Sequence, residues 1–145
     1  MFFTKRMFNN SFLTSLTLKS CQIKDQEINN LADGLISNVT LKYLDLTDNL
    51  ISDTGFAKLV ESLKINNSLT SLNLSLNHLY KSSKAIISLI RNNSGLKFIS
   101  LEKNEFDSSM RESSTEKQLL IGSLIMLYFF NNLIFRPWKT NNSSI

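Results

Sequence analysis

Apolar positions return along this chain in blocks of one design. Leu13, Leu16, Leu18 and Cys21 are followed by Leu41, Leu44, Leu46 and Asn49, then by Leu69, Leu72, Leu74 and Asn77, then by Leu96, Ile99, Leu101 and Asn104. Successive blocks are offset by 28, 28 and 27 residues, as the starts at 13, 41, 69 and 96 give. Each block continues with an apolar residue two positions later (Ile23, Ile51, Leu79, Phe106), and each is preceded by an asparagine three positions earlier (Asn10, Asn38, Asn66, Asn93). A period of this length is the mark of a stacked-repeat architecture.

Inside a block, Leu44 and Leu46 alternate with Tyr43, Asp45 and Thr47, which predicts a short strand with one core face and one open face. Between blocks, Ile28, Leu31, Ala32 and Leu35 keep i, i+3, i+4, i+7 spacing, as do Phe56, Leu59, Val60 and Leu63, and predict amphipathic helices. Asp25 and Asp53 stand where helix N-caps belong. A third helix is expected over 84–91, with Ile86, Ile87 and Ile90 on its inner face. One strand and helix of this size cannot bury its own apolar side, so neighbouring units must stack. The amides of Asn49, Asn77 and Asn104 then form a ladder between turns, because each bend leaves backbone groups to be paired.

These blocks resemble the leucine-rich repeat of the long, ribonuclease-inhibitor-like type, L-x-x-L-x-L-x-x-N/C-x-L, also found in NLR-type receptors and in the Ran GTPase-activating protein. The resemblance covers residues 10–106. It implies a right-handed α/β solenoid of about four to five repeats, with parallel strands on the concave side and helices on the convex side. Cys21 occupies the asparagine rung and is expected to be a small buried residue there. Continuing the period reaches Leu124, Leu127, Phe129, Asn132 and Ile134, a degenerate fifth unit in which Ile121 replaces the upstream asparagine. The expected organisation is one repeat domain over 1–135 with repeats starting near 13, 41, 69, 96 and 124, then a polar tail, 136–145, that includes Pro137 and Trp138. The absence of an evident cap at either end reads as a fragment of a longer repeat protein.

Composition narrows the function. Of 145 residues, 42% are apolar and 19% charged, enough for a folded core. The net charge of +4 is spread along the chain without a basic cluster, which argues against nucleic acid as a partner. A single cysteine cannot form an internal disulfide and points to a reducing, cytoplasmic setting. No signal-peptide apolar core follows Met1, and Asn131 and Asn132 interrupt the apolar run 119–135, which makes a membrane segment there costly. No phosphate loop, dinucleotide fingerprint or nucleophile elbow occurs, and one histidine (His78) with one cysteine does not make a zinc site. Asp45 and Glu102 are two strands apart, about 10 Å, too loosely placed to argue for paired-carboxylate catalysis. No enzyme, cofactor or metal is therefore expected.

The open face carries Ser15, Tyr43, Ser71, Phe98 and Met126 in one column, Thr17, Asp45, Asn73, Ser100 and Tyr128 in the next, and Lys19, Thr47, Ser75, Glu102 and Phe130 in a third. Aromatic side chains dominate the energetics of protein interfaces, so Tyr43 and Phe98 lead the candidate contacts, with Asp45, Asn73, Glu102 and Tyr128 beside them. Three functions are weighed. The first is a non-enzymatic protein-binding module acting through this face. The second is a regulator of a small GTPase, as the Ran-type resemblance implies. The third is a repeat protein tethered to a membrane through 119–135.

Overall fold

The computed structural model describes residues 10–106. Strands and helices alternate along them: β1 (Ser15–Thr17), α1 (Asp25–Ser37), β2 (Tyr43–Asp45), α2 (Asp53–Leu63), β3 (Ser71–Asn73), α3 (Ser83–Asn92) and β4 (Phe98–Ser100). All four strands lie parallel in chain order. Leu16 pairs with Leu44, Leu44 with Leu72, and Leu72 with Ile99, so the sequence period is the strand register. The result is an α/β repeat solenoid, a sheet layer backed by a helix layer in which α1 packs on α2 and α2 on α3.

Three residues per strand would be a weak sheet on their own. The ladder continues past the named strands, with Leu18, Leu46 and Leu74 donating their N–H to Asp45, Asn73 and Ser100 carbonyls at 2.8 Å. It then continues through Ser20, Asp48 and Leu76, whose N–H groups reach the next repeat's carbonyls at Thr47, Ser75 and Glu102. Ser20, Asp48, Leu76 and Lys103 all take positive φ between 54° and 57°, the kink that turns the chain out of the sheet. Leucine is an expensive residue for that kink, because its Cβ crowds the carbonyl oxygen.

The core lies between the layers. Leu44, Leu46, Leu72 and Leu74 are enclosed from the sheet side; Ile28, Leu31, Ala32, Leu35, Phe56, Leu59, Val60 and Leu63 are enclosed from the helix side. Burying each of the larger side chains is worth about 1.5–3 kcal/mol. The third helix is longer than its isoleucines suggest. It buries Ile86 and Leu89, one turn apart, while Ile87 and Ile90 are only half covered.

The structure corrects two expectations. Asp25 and Asp53 are the first residues of their helices and not the caps. Lys24 and Ser52 hold the cap position, with Glu27 accepting from the Lys24 N–H and Ser52 Oγ accepting from the Thr54 N–H. The aspartates instead reach the following repeat. Asp25 accepts from the N–H and hydroxyl of Ser52, and Asp53 from the Tyr80 and Lys81 N–H groups and the Ser82 hydroxyl. Cys21 is exposed, not buried. Its asparagine counterparts turn inward to donate to a preceding repeat; Cys21 offers only a thiol, which contacts the Lys19 carbonyl of its own turn. Residues 107–118, the fifth unit near 124, the run 119–135 and the tail 136–145 lie outside the described residues.

Candidate functional site

The sheet's outer face is built from the residues that alternate with the core leucines. Tyr43, Ser71 and Phe98 stand opposite one another in one column, and Asp45, Asn73 and Ser100 in the next. Tyr43, Asp45, Asn73 and Phe98 are half-buried, each partly open to solvent. Glu102, beyond the end of β4, is also half-buried. Tyr128, Met126 and Phe130 lie outside the described residues. Five of the six candidate contacts are thus positioned, four on two adjoining columns of the sheet and Glu102 one step past its end.

Two of them also have local duties. Asp45 Oδ1 accepts from the Thr47 N–H at 2.9 Å, and Asn73 Oδ1 from the Ser75 N–H at 3.0 Å, so each oxygen closes the turn that follows its strand. The second Asp45 oxygen accepts from the Tyr43 hydroxyl at 3.3 Å. Partial burial, and then the neighbouring Asp45 charge and this bond, raise the Tyr43 phenol above its ordinary pKa of 10.0. The phenol stays neutral, a hydrogen-bond donor on the open face.

Three positions read as open are enclosed. Thr47, Ser75 and Ser100 are buried, and the Ser75 and Ser100 hydroxyls bond each other at 2.7 Å. Thr47 Oγ1 is enclosed with no partner. The ends of these strands curl into the turn, and alternation alone does not carry that bend.

Beside the face runs the asparagine ladder. Asn77 Nδ2 donates to the Leu46, Leu74 and Ser75 carbonyls, and its Oδ1 accepts from the Ile51 N–H. Asn49 and Asn104 repeat the arrangement. A second ladder uses the upstream asparagines, whose role spacing alone does not disclose. Asn66 Nδ2 donates to the Leu35 and Asn38 carbonyls, and Asn93 to those of Leu63 and Asn66, closing the helix C-termini. Their Oδ1 atoms accept N–H groups at the start of the next strand.

His78 is exposed. Among the described residues, no three of His, Cys, Asp and Glu stand close enough to hold a metal ion. No helix among them is long and apolar enough to cross a membrane. The ion pairs Lys58–Asp33 at 2.9 Å and Lys64–Glu61 at 2.6 Å lie near solvent, the second at the C-cap of α2, and carry little stability.

Stacked β–α units, a parallel sheet in step with a 27–28-residue period and an asparagine at three of the four turns make an α/β repeat solenoid. The family model described as "Leucine Rich repeat" matches residues 9–26 and 37–60. Among solved structures, the chain is similar to one described as "Leiomodin-1 Actin-Binding Site 2 (ABS2)", at TM-score 0.61 and 21% identity. That match covers 80% of this chain and 66% of the other, just under two thirds of its length. The ribonuclease-inhibitor or NLR subtype is not distinguished by these matches.

Proposed function

We propose that this chain is a non-enzymatic protein-interaction module that binds a protein partner on the concave, outer face of its sheet. The observation that carries this reading is the contrast between two adjoining columns. Beneath the surface the fold repeats itself as Leu16, Leu44, Leu72 and Ile99, whereas above it Ser15, Tyr43, Ser71 and Phe98 differ at every step. Packing dictates the first column and leaves the second free for recognition. Tyr43 and Phe98 flank the small Ser71 in one column, and Asp45 and Asn73 supply polar contacts in the next. Rigid aromatic anchors of this kind lose little entropy on binding. Glu102, half-buried two residues past β4, adds an acidic contact beside this surface. Cys21 as the single cysteine suits the cytoplasm.

Actin is the first partner to try, since the fold-similar chain is described as an actin-binding site. Anisotropy of labelled monomeric actin and co-sedimentation with filaments, using the full chain, would measure it. A crosslinking screen would supply the partner if actin does not bind. Tyr43→Ala with Phe98→Ala is expected to weaken binding at least tenfold and to leave the melting temperature nearly unchanged. Undiminished binding by that variant would refute the assignment of this face. For the GTPase-regulator alternative, the described residues offer one arginine, Arg91, in the last turn of α3 and away from the sheet. Unchanged GTP turnover by small GTPases would remove that alternative, and a product that stays in the supernatant after carbonate extraction would remove tethering through 119–135.

A further inference from the structure

A second surface lies along the edge of the solenoid where helices give way to strands. The three most exposed large hydrophobic residues among those described are all there, Phe12 at 87%, Val39 at 74% and Ile65 at 61%, with Ile36 at 43% beside them. The repeat itself measures how unusual they are. Val39 has Ser11, Asn67 and Ser94 as its counterparts in the other units, Ile65 has Ser37 and Asn92, and Phe12 has Thr40, Ser68 and Gly95. The fold is thus content with small or polar residues at these sites, and the exposed apolar ones lie outside the core. The loops that bear them touch. Thr40 Oγ1 donates to the Asn10 carbonyl and Ser68 Oγ to the Asn38 carbonyl, each at 3.0 Å.

Charge selects what this rim would accept. Lys42 and Lys97 are exposed at the starts of β2 and β4 and make no ion pair, while Glu61 along the same edge is already held by Lys64. The carbonyls of Leu35 and Leu63 near the helix C-termini, which would repel an anion, are occupied by Asn66 and Asn93. An apolar patch edged by unpaired lysines complements a segment that mixes acidic with aliphatic or aromatic side chains. We propose that the rim formed by Phe12, Ile36, Val39 and Ile65, edged by Lys42 and Lys97, docks an acidic, apolar-studded segment of a partner protein, separately from the sheet face.

The test uses the full ¹⁵N-labelled chain and a synthetic peptide of about 12 residues in which Glu and Asp alternate with Leu and Phe. Two control peptides carry Lys in place of the acids, or Ser in place of Leu and Phe. The acidic apolar peptide is expected to shift amides at 11–13, 36–42 and 64–68, with both controls inert. Lys42→Glu with Lys97→Glu should weaken it by roughly fivefold, as two exposed charge contacts allow. Val39→Ser with Ile65→Ser should abolish it at an unchanged melting temperature, and Tyr43→Ala with Phe98→Ala should bind it normally. No shift at these amides, equal binding of the lysine peptide, shifts on the sheet face, or broadening of the rim amides by protein concentration alone would each overturn the proposal; the last would assign the rim to a second copy of the chain.

Discussion

Thr47 and Tyr43 show how much one side chain can disclose. The Thr47 hydroxyl is enclosed without a partner, and an unmade hydrogen bond of this kind costs about 1–3 kcal/mol. Thr47→Val keeps the shape and removes the polar atom, so it should raise the urea midpoint, the reverse of the usual effect of a buried substitution. Tyr43 makes a prediction in pH. Its raised phenol pKa means that the fold favours the neutral form; the associated stability is fully present below about 10 and is lost as pH climbs through the folded value. Asp45→Asn removes the charge and keeps an acceptor. The Tyr43 ring carbon in ¹³C NMR should therefore titrate lower than in the parent, yet still above the ordinary phenol, because burial is the larger cause. Most core residues are legible from spacing, as Leu44 and Leu72 are, because periodic burial writes itself into periodic leucines. Thr47 is not: whether an alternating residue faces water depends on where the strand bends, and that bend is set by positive φ at Asp48, which no leucine pattern records.

At the level of elements, helices α1 and α2 are plain in the sequence, but what joins them is not. Asp25 looks like a cap because caps and first-turn carboxylates are the same residue types. Only the structure reveals that its oxygens reach over to Ser52, filling the space that Gly55 leaves. A Cβ at Gly55 would stand under 3.0 Å from Asp25 Oδ1. Gly55→Ala is thus expected to be destabilising despite alanine's better helix propensity, which on its own is worth about 1 kcal/mol in the other direction. Combined with Asp25→Ala the cost should fall, and a double-mutant cycle by urea denaturation measures the coupling; strict additivity would refute the contact. The end of α3 teaches a similar lesson. Three isoleucines mark the helix in the sequence, yet of these only Ile86 is buried, and its partner in burial one turn on is Leu89.

Across the whole molecule, stability is shared between neighbours, because every described unit rests on the one before it and has no core of its own. Leu72→Ala should cost about 2–5 kcal/mol in urea denaturation, since its side chain is fully enclosed and the strand that bears it has a partner on each side. A cost below 1 kcal/mol would show that the sheet side of the core is looser than its burial implies. The architecture and the register were readable at this scale from the offsets of 28, 28 and 27 residues alone. The two proposed binding surfaces were only half readable: Tyr43 and Phe98 stand out as aromatics on an alternating strand, whereas Val39 and Ile65 become conspicuous once their exposure is known.

The paired asparagine and aspartate ties have an evolutionary corollary. Each coil presents sockets to its successor and plugs to its predecessor, and both are encoded within a single stretch such as 38–65. A tandem copy of that stretch, spliced in after Ile65, would meet matching fittings at both seams: its Asn38 would find the Leu35-type carbonyl, and its Gly55 would admit the Asp53 carboxylate. Such a duplicated chain should express as a folded protein with more helical circular-dichroism signal per molecule and a melting temperature no lower than the parent's. Growth by whole modules is thereby open to this lineage, and the 27-residue step from Leu69 to Leu96, which leaves Leu72 paired with Ile99, shows that a coil one residue shorter is also accommodated.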